Sequence, residues 1–154
     1  AFSREVVENV YERLVKVAKG AAMMTETEVE IIEEKKVDNK IPVLTLNDLV
    51  MKQAEELHAP QLAPAREKTG FTDFGNVMRR VPGTCARIAF VDPGAAAHSQ
   101  EYIAAGKTDA AHDAVVYGAK ILAGTALELI EDPELLNRVK TEFKENLAKE
   151  NSEV

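Results

Sequence analysis

The chain has 154 residues, of which 45% are apolar and 29% charged, enough for one globular domain or for pieces of two. Its net charge of −7 argues against nucleic acid as a partner, because no basic surplus is available to displace counterions from phosphates. The apolar runs are short and interrupted, so we expect no membrane-spanning helix and no membrane partner. Cys85 is the only cysteine, which excludes an internal disulfide and favours a reducing, cytoplasmic location.

The first predicted elements are a helix and a strand. Apolar residues recur at helical spacing over residues 3–22, and Ser3 is in position to cap this helix. Residues 27–36 largely alternate between apolar and acidic side chains, a period of two that predicts a half-buried strand. Residues 37–43 contain Asp, Asn and Pro, which predict a connector. We therefore place a candidate domain boundary in this stretch.

The middle of the chain predicts a helix, a loop, a short helix and a second strand. Thr45 and Asp48 resemble a capping pair for a helix that ends near His58. The next stretch contains two prolines and many small or charged residues, which favour a surface loop. Thr72 is in position to cap a short helix. After a Pro-Gly turn, residues 84–91 predict the second strand.

Two helices are predicted to end the chain. The first covers residues 108–130, and its small residues allow close packing. Apolar residues recur along one side of it: Ala111, Val115, Ala119, Leu122, Ala126 and Ile130. Pro133 follows Asp132 and suits the first position of a new helix. The predicted buried face of that helix consists of Leu136, Val139, Phe143 and Leu147.

The three histidines are the most informative candidates for chemistry. His58 ends a helix, where an imidazolium favours the helix dipole, and His112 lies beside Asp113 in the first turn of the long helix. Both are predicted to have structural or supporting roles. His98 follows a loop of Pro, Gly and Ala, a location typical of functional groups. A catalytic zinc needs about three protein ligands, and no His-x-Asp, nucleophile or phosphate-loop motif accompanies it, so the site is incomplete.

Four segments, in the same order, resemble a known family. Residues 72–77, Thr-Asp-Phe-Gly-Asn-Val, precede a Val-Pro pair and resemble the Thr-Asp-(Phe or Met)-Gly-Asn-Val-Ser...Val-Pro signature of aminobenzoyl-glutamate hydrolases and related amidohydrolases. Residues 98–102, His-Ser-Gln-Glu-Tyr, are similar to the family's His-Ser-Pro-Glu-Phe segment. Residues 119–143 resemble its closing helices, and residues 20–25 the end of its lid domain. The chain thus resembles the aminoacylase and aminobenzoyl-glutamate hydrolase family over nearly its whole length.

The resemblance implies an α/β fold, with an α+β lid portion. Residues 1–36 are expected to be the C-terminal part of a ferredoxin-like lid or dimerisation domain. Residues 37–154 are expected to be the C-terminal part of a zinc-peptidase-like catalytic domain. The chain would then be a C-terminal fragment that is inactive alone, and its exposed apolar surface would favour a homo-oligomer.

The implied function is a metal-dependent hydrolase that cleaves an amide bond in N-acyl amino acids, aminobenzoyl-glutamate-like compounds or dipeptides by a metal-activated water. The full-length enzyme would hold two divalent metal ions, for which zinc is the first expectation. His98 matches the family's C-terminal metal ligand, and no other family ligand has a counterpart here, so the chain alone need not bind metal. Asp73, Gly75 and Asn76 match a loop on the active-site side, where they would bind substrate or support the site. A capped short helix with a tight turn is the alternative.

Two other functions stay open from the sequence. A non-catalytic interaction or dimerisation module would fit the same acidic, helix-rich chain without any metal. A self-contained small enzyme would use His112 and Asp113, although no nucleophile or oxyanion site supports it. The chain also departs from the family pattern at Phe71, Met78 and Gln100, which leaves the substrate open.

Overall fold

A computed structural model describes residues 4–59, 61–64, 70 and 72–152. This part of the chain contains six helices joined by irregular segments. Their bounds are α1 Arg4–Met24, α2 Leu44–Glu56, α3 Phe74–Met78, α4 Gln100–Ala105, α5 Asp109–Glu131 and α6 Pro133–Ser152.

The predicted α/β fold with an α+β, ferredoxin-like lid is wrong, because the described residues are helical and include no β-strand. Residues 27–36 and 84–91, the two predicted strands, have no regular secondary structure. No described residue forms a backbone–backbone hydrogen bond with residues 85–91. An alternating pattern makes a strand only when a neighbouring strand satisfies its backbone groups. Neither segment has such a neighbour in the described structure.

The core lies where α2, α5 and α6 pack together. The larger cluster joins α2, the two residues that precede it and α6: Ile41, Val43, Leu46, Leu49, Leu135, Val139 and Phe143. A smaller cluster joins α2 to α5 and consists of Val50, Ala54 and Ile121. Every buried residue of both clusters therefore lies at position 41 or later, so the core is built by the second part of the chain.

Two helix boundaries confirm the signals in the sequence. The Thr108 hydroxyl accepts a hydrogen bond from the backbone N–H of Ala111 at 3.3 Å, which caps α5. The Asp132 carboxylate accepts from the N–H of Leu135 at 2.9 Å and precedes Pro133, the first residue of α6. Ser3, the predicted cap of α1, lies outside the described residues.

The start of α2 differs from the prediction that Thr45 and Asp48 form its capping pair. The helix begins at Leu44, and its N-cap residue Val43 offers no side-chain hydrogen bond. The carboxylate of Glu142 on α6 takes that role from the far end of the chain. Its two oxygens accept from the backbone N–H groups of Leu44 at 2.6 Å and Thr45 at 3.0 Å.

Helix α5 is apolar around most of its circumference but is covered on only one side. Ala111, Ile121 and Thr125 are buried, on the side that faces α2 and α6. The uncovered side of α5 is defined by eight exposed residues: Val115, Val116, Ala119, Leu122, Ala123, Ala126, Leu127 and Ile130. A helix that is apolar all round is normally buried on all sides. The described chain therefore supplies half of the surroundings that α5 requires.

The N-terminal part of the chain forms an arm, residues 4–34. None of the α1 side chains is buried, and no other described helix packs extensively on α1. The segment after α1 returns beside it, so that Ile31 lines an open groove with Tyr11 and Val15. Among the described residues, none of the helices is both long and apolar enough to cross a membrane.

Candidate functional site

The three predicted loop residues Asp73, Gly75 and Asn76 lie at the start of α3. They face a junction, residues 35–39, which links the arm to the core. Gly75 is buried, and its backbone lies directly against the backbone carbonyl of Asp38. A Cβ at position 75 would overlap the Asp38 carbonyl oxygen and lie 2.9 Å from its carbon. Glycine is therefore required here by close backbone approach rather than by an unusual dihedral angle.

Asn76 fixes the same junction with its side-chain amide. Its Oδ1 accepts from the backbone N–H of Asp38 at 3.2 Å, and its Nδ2 donates to Asp38 Oδ2 at 3.1 Å. The Nδ2 also donates to the backbone carbonyl of Lys36 at 3.4 Å. An amide that donates and accepts at once is needed for this set, since a carboxylate has no donor. Asn76 thus binds both the backbone and a side chain of the junction.

Asp73 is exposed and forms an ion pair with Lys35 across 3.2 Å. Before it, the Thr72 hydroxyl accepts a hydrogen bond from the backbone N–H of Phe74 at 3.3 Å. These contacts agree with the alternative of a capped short helix with a tight turn. The structure brings Asp73, Gly75 and Asn76 together around the junction, and whether they also act on a substrate stays a prediction.

The junction continues into a polar cluster with α6. Asn39 donates from Nδ2 to Glu150 Oε1 at 2.9 Å and accepts at Oδ1 from Arg79 at 3.3 Å. The Arg79 guanidinium also lies 3.8 Å from Glu150 Oε1, while its buried Nε has no described partner. These side chains tie the end of α3 to the last turns of α6 through the junction.

On its other side the junction meets the first turn of α1. The Arg4 guanidinium donates to Asp38 and, at 2.9 Å, to Glu8. Lys36 lies 3.4 Å from the same Glu8 carboxylate. The hydrogen bond to Glu8, followed by that to Asp38, raises the pKa of Arg4 despite some desolvation. The Arg4 hydrogen bond lowers the pKa of Glu8 in return, so this contact is ionic over the whole neutral range.

His98, the predicted metal ligand, lies on an exposed turn just before α4. Its φ of 62° is left-handed, and the turn follows Gly94, whose φ is 98°. Ser99 then caps α4 by accepting from the backbone N–H of Tyr102 at 3.3 Å. The ring of Tyr102 packs edge-on against Phe90 with centroids 5.2 Å apart. This aromatic contact anchors α4 and so positions the turn that carries His98.

The other two histidines lie elsewhere. His58 follows α2 in an exposed turn with a φ of 55°, and His112 is exposed on α5. Within the described ranges, no three His, Cys, Asp or Glu side chains are placed to share a metal ion. A catalytic zinc needs about three protein ligands. The described residues by themselves therefore do not fit the two predicted metal ions, and His98 alone is a candidate ligand.

Sequence reasoning missed one buried polar contact that shapes the core. Gln53 on α2 donates to Glu128 Oε2 at 2.9 Å, and Lys52 donates to Glu128 Oε1 at 2.6 Å. The Gln53 side chain lies directly against Gly124 of α5. The exposed-looking pattern of α2 hides Gln53, although Gly124 in a helix is a signal of close approach.

Comparisons with known proteins agree with amide hydrolysis. The chain is 40% identical over 82 residues to Xaa-Arg dipeptidase of Mus musculus and 38% identical over 82 residues to that of Homo sapiens. In both cases this is 53% of this chain and 19% of the relative, so the matched part spans about a fifth of each dipeptidase. No family model matches the chain.

A third relative matches over more of the chain. The chain is 24% identical over 195 residues to one of the subunits of p-aminobenzoyl-glutamate hydrolase of Escherichia coli (strain K12), which is 90% of this chain and 40% of the relative. The aligned stretch is longer than the chain, so this relative has segments within it that the chain lacks. The three similarities support a relationship to peptidases and amidohydrolases, at low sequence identity.

Proposed function

We propose that this chain is the C-terminal part of a metal-dependent hydrolase that cleaves an amide bond in dipeptides, aminobenzoyl-glutamate-like compounds or N-acyl amino acids. The observation that carries the proposal is the similarity to two dipeptidases and to a component of an aminobenzoyl-glutamate hydrolase, all named for amide hydrolysis. A cytoplasmic location and a domain boundary between residues 36 and 37 belong to the same proposal.

Two features of the fold support a role as part of a larger catalyst. The uncovered side of α5 leaves Leu122 at 66% and Ile130 at 76% exposure, and apolar patches of this kind mark surfaces that other polypeptide covers. The described residues also assemble no complete metal site. We infer that the isolated chain is inactive and that further polypeptide supplies most of the active site.

Within that enzyme, we propose that His98 supplies one ligand to a pair of divalent metal ions, zinc in the first instance. Its ring is exposed and forms no hydrogen bond to a described residue, so its nitrogens are available. Such ions, when bound, activate water for attack on an amide carbonyl. Asp73, Gly75 and Asn76 then support the site by fixing the junction beside it, or contact the substrate through the exposed Asp73.

The test uses the full-length gene product from its source. Hydrolysis of an Xaa-Arg dipeptide and of p-aminobenzoyl-glutamate is measured together with the metal content per chain. We expect His98→Ala to lower kcat/KM about 100-fold and to reduce the bound metal, since loss of a ligand weakens metal affinity. His58→Ala is the matched control, because it too removes an exposed imidazole from a left-handed turn. Equal activity and metal content in both variants would contradict the role of His98.

The second candidate function is a non-catalytic interaction or dimerisation module. The exposed apolar residues of α1 and α5 favour it, and a homo-oligomer is the simplest association that would cover them. Light scattering on the 154-residue chain decides whether its mass is 16.9 kDa or a multiple. A full-length product that oligomerises but cleaves neither substrate with zinc, manganese or cobalt would favour this candidate over the hydrolase.

A further inference from the structure

The arm and the core meet at a contact made of polar groups. No residue of the arm belongs to either core cluster, and no other described helix packs extensively on α1. Instead, the junction lies between the first turn of α1 and helix α3. Apolar packing resists displacement because it is dense and interlocked, whereas ion pairs near the surface are weak and screened by salt.

The two sides of the junction differ in kind. Toward α3, the close approach of Gly75 and the three hydrogen bonds of Asn76 fix the backbone around Asp38. Toward α1, the contacts are the ion pairs of Arg4 with Asp38 and of Glu8 with Lys36. The α3 side depends on shape and backbone hydrogen bonds, and the α1 side depends on charge.

The charged side is open to solvent to different degrees. The Arg4 and Asp38 side chains are 28% and 20% exposed, so their pair is partly protected from screening. The Glu8 and Lys36 side chains are 40% and 46% exposed, so their pair is readily screened. A rise in ionic strength therefore weakens the α1 side of the junction before it affects the α3 side.

We propose that the junction is a hinge for the arm. Gly75 and Asn76 hold its base on α3, and the ion pair between Arg4 and Asp38 fixes the direction in which the arm leaves. When that pair is removed, the arm samples several orientations while the core keeps its fold. This inference goes beyond the proposed hydrolase and does not depend on it.

The test measures the distance between two spin labels in the 154-residue chain. One is attached to Cys85, which is the single cysteine and is exposed, and the other to Lys19→Cys near the end of α1. At low salt we expect one narrow distance distribution. At 1 M salt, where the Debye length falls to about 3 Å, we expect the distribution to broaden about twofold.

Two substitutions separate the hinge from a general effect of charge. Arg4→Gln is expected to broaden the distribution about twofold already at low salt, because the pair with Asp38 is lost. Arg13→Gln removes the same charge from an exposed position on the same helix and is expected to leave it narrow. Circular dichroism confirms that the core still unfolds at the same temperature in both.

Either of two outcomes overturns the hinge. A distribution that is equally narrow in the wild type, Arg4→Gln and 1 M salt would show that other contacts fix the arm. A wild-type distribution that is already broad at low salt would show that the ion pairs fix nothing.

Discussion

The Glu142 carboxylate of α6 accepts a hydrogen bond from the backbone N–H of Leu44 at 2.6 Å and so closes the first turn of α2 from 98 positions away. A negative charge at this end also favours the helix dipole. We expect Glu142→Ala to lower the free energy of unfolding by about 1 kcal/mol, as for the loss of an N-cap. Urea denaturation followed by circular dichroism measures it. Glu145→Ala, exposed on the same helix, is expected to change little.

The same carboxylate makes stability depend on pH. Desolvation acts to raise the pKa of Glu142, but hydrogen bonds from Thr45 and Leu44 outweigh it and lower the pKa below its ordinary value of 4.5. A depressed pKa means that the stabilisation is complete above the unfolded value and is lost as the pH falls through the folded value. We expect the loss of stability below pH 4.5 to be smaller in Glu142→Ala than in the wild type. Parallel slopes would contradict this assignment.

Gly75→Ala tests the close approach at the junction. The new Cβ would meet the Asp38 backbone, which cannot move aside as a side chain can. We expect a loss of about 2 kcal/mol, as for overpacking in a tight site. Gly20→Ala, with open space around the new methyl group, is the control and is expected to increase the helicity of α1. Unchanged unfolding of Gly75→Ala would show that the junction is not tightly packed on α3.

A double-mutant cycle tests the contact between Gln53 and Gly124. An added Cβ at Gly124 would lie 2.9 Å from Gln53 Cδ and overlap its oxygen, which would displace Gln53 from its hydrogen bond to Glu128. We expect Gly124→Ala to destabilise the wild type by about 2 kcal/mol. In the Gln53→Ala background the same change is expected to be neutral or favourable, because alanine suits helices. A coupling energy near zero would show that the two residues do not touch.

Neighbouring residues on α5 report whether its second side is covered. Ile121 is 3% exposed and Leu122 is 66% exposed. In the 154-residue chain we expect Ile121→Ala to cost about 2–5 kcal/mol and Leu122→Ala less than about 0.5 kcal/mol. In a full-length hydrolase both are expected to be costly. Thermal unfolding of the four proteins decides, and a tolerant Leu122→Ala in the full-length protein would count against covering of α5.

The helices were predictable because their signals are local. The spacing of Leu46, Leu49 and Val50 identifies the buried face of α2, and Thr108 and Asp132 mark helix starts within three residues of the groups they cap. The strands were not, because a strand depends on a partner elsewhere in the chain. An alternating segment without that partner has no way to satisfy its backbone groups within a sheet.

The site shows the same division between local and distant effects. The resemblance singled out Gly75 and Asn76, but their contacts with Asp38 join positions 37 and 38 residues apart. No local pattern reveals that approach. Periodicity placed Leu122 on an apolar side of α5 but gave no information on whether another surface covers it. Contacts between distant segments therefore had to come from the structure.

The uncovered side of α5 makes the solubility of the chain a matter of its charge. At neutral pH the net charge of −7 keeps copies apart by electrostatic repulsion. Near the isoelectric point of about 5.1 that repulsion vanishes, and nothing then opposes contact between the apolar strips of two copies. Acidification of the chain alone is therefore expected to cause precipitation at a pH where its helices are still folded.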